Sequence, residues 1–232
     1  MEIHRDLDDA GILTVTLDDG AKNALTPAAF EGLIAVLDEE SDARAVVLAG
    51  RPDILTAGLD VKWMAANGRD GVQGLLLVFG RCMMRWWTDP RPTVCAATGH
   101  AVAAGTMLAM ACDHAVAAAG GWWGLMETQI DFEMPTFGLA LARHNVRADR
   151  LEDLVLPGRR VDATAAVEAG YADEVVPADQ VVATAQTRAA ELAALPARAY
   201  AGTKDRLRGV DARAVLADLE ADVRALTAHL PA

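Results

Sequence analysis

The chain has 232 residues, 53% of them hydrophobic and 23% charged, and 33 acidic residues against 21 Lys plus Arg give a formal net charge of −12. Such a chain can bury a sizeable core, which excludes a disordered or collagen-like polymer, and its scattered basic residues exclude the clustered cationic face that broad nucleic-acid binding needs. The longest mostly apolar run, residues 101–112, falls short of the ~18 to 20 residues of a membrane span. The N-terminal MEIHRDLDDAG lacks the basic-then-apolar order of a secretory signal, so no membrane contact and a cytoplasmic location are expected.

In chain order, residues 12–17 alternate, with Leu13, Val15 and Leu17 on one face, and predict a half-buried strand closed by Asp18-Asp19-Gly20. Thr26 and Pro27 open a helix in which Phe30, Leu33, Ile34 and Leu37 form one stripe. The apolar run 45–49 reads as a strand covered on both faces, completing a β-α-β unit. A second helix is expected over about 71–87, closed by Asp89-Pro90-Arg91-Pro92, then a buried strand over 93–97. Thr98-Gly99-His100 reads as a turn before a small-residue helix over about 103–111, followed by a strand over 114–118. This alternation places the first ~170 residues in the α/β class. From Ala178 onward only helices are expected, with one stripe of Val181, Val182, Ala185, Ala189 and Leu192 and another of Val215, Leu216, Leu219, Val223 and Leu226. These stripes carry more apolar surface than a small tail can bury alone, which predicts association through the tail.

Several chemistries are excluded. Ser41 is the only serine and has no flanking glycine, so no GxSxG nucleophile elbow exists. The five histidines show no HxxxH pair and no cluster with cysteine, so no metal site is expected. Neither a P-loop nor GxGxxG is present. Cys82, Cys95 and Cys112, odd in number and without CxxC spacing, read as reduced, buried thiols.

Three segments put small residues where backbone must come close to something: Ala57-Gly58-Leu59-Asp60, the run from Gly99 to Gly105, and Gly124-Leu125-Met126-Glu127. Singly, each reads equally well as turn or packing. In order, NAL (Asn23-Ala24-Leu25), TAGLDVKWM, TGHAVAAGTMLAMACDHAVAA, WGLMETQI and LPGRRVDATAAVEAGYADEVVP resemble the crotonase superfamily, the enoyl-coenzyme A hydratases and isomerases. The resemblance implies an α/β fold: a crotonase-like ββα spiral core over residues 1–175, carrying an acyl-CoA site, and a C-terminal helical trimerisation tail over 176–232. A homotrimer or dimer of trimers follows from it. So does an acyl-CoA substrate, with coenzyme A entering as part of the thioester and no separate cofactor.

Carried over residue by residue, the resemblance makes the backbone N–H groups of Leu59 and Ala104 an oxyanion hole for a thioester enolate. Lys22, Ala24, Ala57, Gly58, Asp60 and Lys62 then fall on the side expected to meet the thioester and its coenzyme A, with Lys204 in the tail a further cation for its phosphates. Hydratases of the family use two glutamates. The second matches Glu127, whose apolar neighbours Trp122, Trp123, Met126 and Ile130 predict a raised pKa suited to acid/base work. The first falls on Met107, and a thioether neither gives nor takes a proton. Asp131 and Glu133 are candidates for a replacement acid, while His100 reads as structural. With one glutamate left, isomerisation is favoured over hydration; a non-catalytic acyl-CoA-binding or scaffolding protein is the alternative. Phe79 and the paired tryptophans Trp86, Trp87, Trp122 and Trp123 either line an acyl pocket or pack.

Overall fold

The computed structural model, in which residues 1–230 are described, begins with an antiparallel pair, β1 (Glu2–Leu7) and β2 (Ile12–Asp18). Helix α1 (Pro27–Glu39) has proline in its first turn and buries Phe30, Leu33 and Leu37, as the spacing predicts. Strands β3 (Ala45–Ala49) and β4 (Asp53–Thr56) lead to α2 (Val61–Trp87), then β5 (Thr93–Ala97), β6 (Gly99–Val102) and α3 (Ala104–Ala111). Next come β7 (His114–Ala118), β8 (Trp122–Gly124), a 3-10 turn (Glu127–Ile130), α4 (Thr136–Asn145) and α5 (Leu151–Val155). The chain continues through β9 (Val161–Asp162), α6 (Ala163–Ala169) and β10 (Glu174–Val176) to three tail helices, α7 (Val181–Ala193), α8 (Ala197–Lys204) and α9 (Val210–Leu226).

Two sheets result, one ordered β1-β2-β3-β5-β7-β10 and the other β4-β6-β8-β9. The turns β3-β4-α2, β5-β6-α3 and β7-β8-α4 each contribute one strand to each sheet and then a helix, which is the ββα spiral. The pairs β2/β3, β3/β5 and β5/β7 are parallel, as are β4/β6 and β6/β8. The second sheet brings the ends of β4, β6 and β8 side by side, and these ends carry the three small-residue segments.

Four expectations are corrected. The β2 strand is covered on both faces, because α7 lies across the sheet and packs Val181, Ala185 and Ala189 against Ile12, Val47, Val94 and Val116; Gln186 of α7 also donates to the Thr14 hydroxyl. The helix expected to start near Val61 and the helical stretch expected over about 71–87 are one element, α2, capped by Asp60 Oδ1 on the Trp63 N–H and interrupted only at Gly68 (φ +59°). Gly99 and His100, read as part of a turn with Thr98, open the strand β6. Apart from the exposed Leu216, the tail stripes are covered within the chain itself: α7 on the sheet, and α9 through Val215, Leu219 and Val223 in the main core alongside α2 and α4. Their covered members therefore give no argument for association.

Lys204 is also spent inside the protein. Its ammonium donates to the carbonyls of Asp89 and Arg91 and pairs with Asp113, and burial lowers its pKa. Arg208 and Tyr200 bond the same Asp113 carboxylate, so this cluster fastens the tail to the core. No described helix is long and apolar enough to cross a membrane.

Candidate active site

The NAL segment is strapped to the end of β4. Asn23 is buried with φ +52°, and its amide donates to the carbonyls of Leu17 and Leu55 at 2.8 and 2.9 Å. The Thr56 hydroxyl bonds the Asn23 carbonyl and accepts from the Gly58 N–H. The Leu25 N–H then donates to the Gly58 carbonyl and the Asp60 N–H to the Leu25 carbonyl, each at 2.9 Å. In such a parallel bridge Leu59, lying between those two contacts, turns its own N–H to the other side.

Ala104 is the first residue of α3, so its N–H has no acceptor within the helix and stands at the positive end of the helix dipole. The two N–H segments adjoin. A Cβ on Gly58 would lie 3.4 Å from the Ala103 Cβ and 3.9 Å from the Ala104 nitrogen, and one on Gly105 would come within 2.8 Å of Thr56 Cγ2. Glycine at both places lets α3 approach β4. Ala103, which caps α3, has φ +50° and ψ −116°, a conformation that suits glycine.

Thr106 joins this pair of segments to the third. Its hydroxyl donates to the Ala101 carbonyl at 2.6 Å and accepts from the Gly124 N–H, while the Ala103 N–H donates to the Gly124 carbonyl. Three residues on, Glu127 opens the 3-10 turn, which is braced from below by the LPG segment: Gln129 donates to the carbonyls of Pro157 and Gly158. Asn23 is marked in the sequence by the NAL motif, whereas the only signal for Thr56 and Thr106 is a polar residue embedded among small and apolar ones.

Leu59, Ala104, Met107 and Glu127 line one cavity of about 360 Å³, together with Ala57, Ala103 and an apolar wall that includes Leu76, Phe79 and Phe132. Glu127 is the only ionisable residue among those that line it. It is 7% exposed, and burial pushes its pKa up from 4.5 to about 7. The Met107 thioether lies beside Gly138, whose Cβ, if present, would meet Met107 Cε at 3.0 Å. Asp131 and Glu133 do not join the cavity: both are exposed, and it is Phe132 between them, half-buried, that lines it. Of the aromatic candidates Phe79 lines the cavity, Trp86, Trp87 and Trp123 pack in the core, and Trp122 is surface-exposed under the Arg160 guanidinium. His100 accepts from the Trp122 N–H. Lys22 and Lys62 are exposed, and Asp60 serves as the cap of α2. Ala24 and Ala57 donate their N–H groups to Asp19 and to the Lys22 carbonyl, so their contribution is to loop shape.

A family model described as enoyl-CoA hydratase/isomerase matches residues 8–230. The chain belongs to the enoyl-CoA hydratase/isomerase family. It is 34% identical over 182 residues to a putative enoyl-CoA hydratase of Thermus thermophilus, covering 76% of this chain and 72% of that one. Among solved structures, human mitochondrial delta3-delta2-enoyl-CoA isomerase superposes with a TM-score of 0.93 at 25% identity, covering 98% of this chain and 91% of the human one. An enoyl-CoA isomerase of Mycobacterium tuberculosis superposes with a TM-score of 0.88 at 28% identity, covering 95% and 98% of the two chains.

Proposed function

We propose that this family member is an acyl-CoA thioester enzyme that moves a double bond from the 3 to the 2 position of an enoyl chain, with Glu127 as its acid/base. The observation that supports the reading is the cavity itself, whose lining brings one carboxyl group, that of Glu127, together with Leu59, Ala104 and Met107. In the proposed step the Glu127 carboxylate takes a proton from C2 of a 3-enoyl thioester. The C–H electron pair delocalises onto the thioester oxygen, giving a dienolate that the N–H groups of Leu59 and Ala104 stabilise, by about 3 kcal/mol per donor. The same Glu127 returns the proton to C4, leaving the double bond between C2 and C3. Hydration would require a water oriented between two acids, and Met107 supplies neither charge nor a proton. A pKa near 7 suits a group that must both take and give a proton at neutral pH.

Ala57, Gly58 and Ala103 leave room for the thioester beside those donors, and Lys22 and Lys62 are the exposed cations assigned to coenzyme A phosphates. Assembly as a homotrimer or dimer of trimers is also proposed; support comes from the exposed Leu195, Leu207, Val210 and Leu216 of the tail, and sedimentation at micromolar concentration tests it. The deciding assay follows the ultraviolet absorbance of the conjugated 2-enoyl thioester. Its formation from the 3-enoyl isomer should outpace its loss by hydration, and brisk hydration with slow isomerisation would overturn the reading. Binding of the thioester with no turnover in either direction would support the non-catalytic alternative.

A further inference from the structure

Helix α2 lines the cavity from solvent to core. Val61, in its first turn, borders the cavity and is 65% exposed, and Met64 follows half-buried. Beyond the interruption at Gly68, Leu76 and Phe79 border the same cavity at 0% and 2% exposure. The rest of the lining grades the same way, from the exposed Ile130 to the buried Pro135 and Met107. The cavity is thus a blind pocket, open to water at one end and closed by side chains at the other.

The closed end is fixed in place. The Phe79 ring stacks on Phe30 with centroids 4.5 Å apart and meets Phe137 edge-on at 4.8 Å. A single carbon added to the neighbouring Gly80 would lie 2.6 Å from Leu219 Cδ1 and 2.9 Å from Phe137 Cδ1. Helix α9 therefore clamps this part of α2, and packing so close leaves the Phe79 ring no void to swing into. The lining also selects by polarity. Every lining side chain other than Glu127 is that of Ala, Val, Leu, Ile, Met, Phe or Pro, so a hydroxyl or carboxylate on the chain would lose its water with no side chain to replace it. Volume sets the length: since ~150 Å³ holds the six carbons of benzene, about 360 Å³ holds roughly fourteen non-hydrogen atoms. The sulfur, carbon and oxygen of the thioester use about three of these, which leaves room for a chain of roughly twelve carbons counted from the thioester carbon.

We propose that the site selects unsubstituted acyl chains of up to about twelve carbons, and that Phe79 sets this limit as the surface against which the chain end stops. The inference rests on the cavity being the acyl site of the proposed thioester reaction.

Saturated thioesters do not react, so calorimetric titration with butanoyl-, octanoyl-, dodecanoyl- and hexadecanoyl-coenzyme A, below their micellar concentrations, reads the pocket apart from catalysis. Affinity should rise by up to about fourfold per added methylene as far as dodecanoyl, and hexadecanoyl should bind no tighter than dodecanoyl. A hydroxyl at the chain end of dodecanoyl should weaken binding about 5- to 150-fold. Phe79→Ala should move the tightest binding to hexadecanoyl, and the milder Phe79→Leu, which keeps the core filled, should raise tetradecanoyl relative to dodecanoyl. Wild-type affinity that climbs through hexadecanoyl, a terminal hydroxyl borne without loss, or a length limit unmoved in a folded Phe79 variant overturns the proposal. A limit near dodecanoyl in a protein without isomerase activity keeps the acyl pocket and refutes the proposed reaction instead. Isomerisation of all chain lengths alike keeps the reaction and refutes the limit.

Discussion

Met107 of α3 and Glu127 of the turn after β8 border the same cavity, so a thioether and a carboxyl group share the site at the two positions where the resemblance to hydratases expects a pair of acids. Replacing Met107 by glutamate should therefore raise hydration of a 2-enoyl thioester from its low wild-type rate. The gain should be modest, because the Met107 side chain is seated against Gly138 and a carboxylate misplaced by about 1 Å can lose on the order of a hundredfold. Steady-state rates in both directions on wild type and Met107→Glu check this.

Glu127→Gln should cut isomerisation by about 10²- to 10⁴-fold while coenzyme A thioesters still raise the melting temperature, since ligand binding does not need the proton transfer. In the wild type, kcat/KM should rise with pH through a midpoint near 7, the pH at which the buried carboxyl ionises. A pH-independent rate between 5 and 8 would assign the base elsewhere.

The same buried carboxyl makes stability depend on pH. Folded Glu127 keeps its proton to about pH 7, whereas the unfolded chain releases it near 4.5, so over that window the unfolded state binds fewer protons and stability falls as pH rises. The contribution is fully present below pH 4.5 and gone above about 7, and its size is about 3 kcal/mol. Glu127→Gln should thus melt higher than the wild type at pH 8 and close to it at pH 4.5. Calorimetry at the two pH values reads the difference.

Ala103→Gly should stabilise the protein. With φ +50° and ψ −116°, Ala103 holds a conformation costing a side chain about 1 to 3 kcal/mol, whereas glycine's extra freedom in the unfolded chain costs about 0.4 to 1. A net gain of about 1 kcal/mol, or roughly 3 °C in melting temperature, is expected.

Asn23→Ala tests the strap beneath Leu59. It leaves the buried carbonyls of Leu17 and Leu55 without their donor and removes the side chain best suited to φ +52°, so a loss of about 2 to 3 kcal/mol is expected. Because the strap sets where the Leu59 N–H points, kcat should fall more than KM rises. A destabilised variant with unchanged kcat would show that the loop holds its shape without Asn23.

How far the residues announced all this differs by element. Periodicity alone found α1, β3, β5 and β7, since each is either a clean stripe or a continuous apolar run. It missed β1, an edge strand of the sequence EIHRDL with no buried residue and hence no alternation to read. The resemblance placed Leu59, Ala104, Met107 and Glu127, which the fold brings to one cavity. No spacing rule could show that Asp131 and Glu133 are exposed, because that depends on how the chain leaves the 3-10 turn through the left-handed Asp131 and seats Phe132 rather than the acids against the cavity. The fate of the tail was equally hidden: an apolar stripe looks the same whether it meets another chain or its own sheet.

That last point bears on the order in which the protein can be made. The outer face of the larger sheet, with Ile12, Val47, Val94 and Val116, is sealed by a helix that begins only at Val181. During synthesis every strand of that sheet leaves the ribosome before its cover does, at about 5 to 20 residues per second. For several seconds the nascent chain presents a bare β surface, so a chaperone that shields such surfaces should associate with chains halted before residue 181 and release those extended through residue 193.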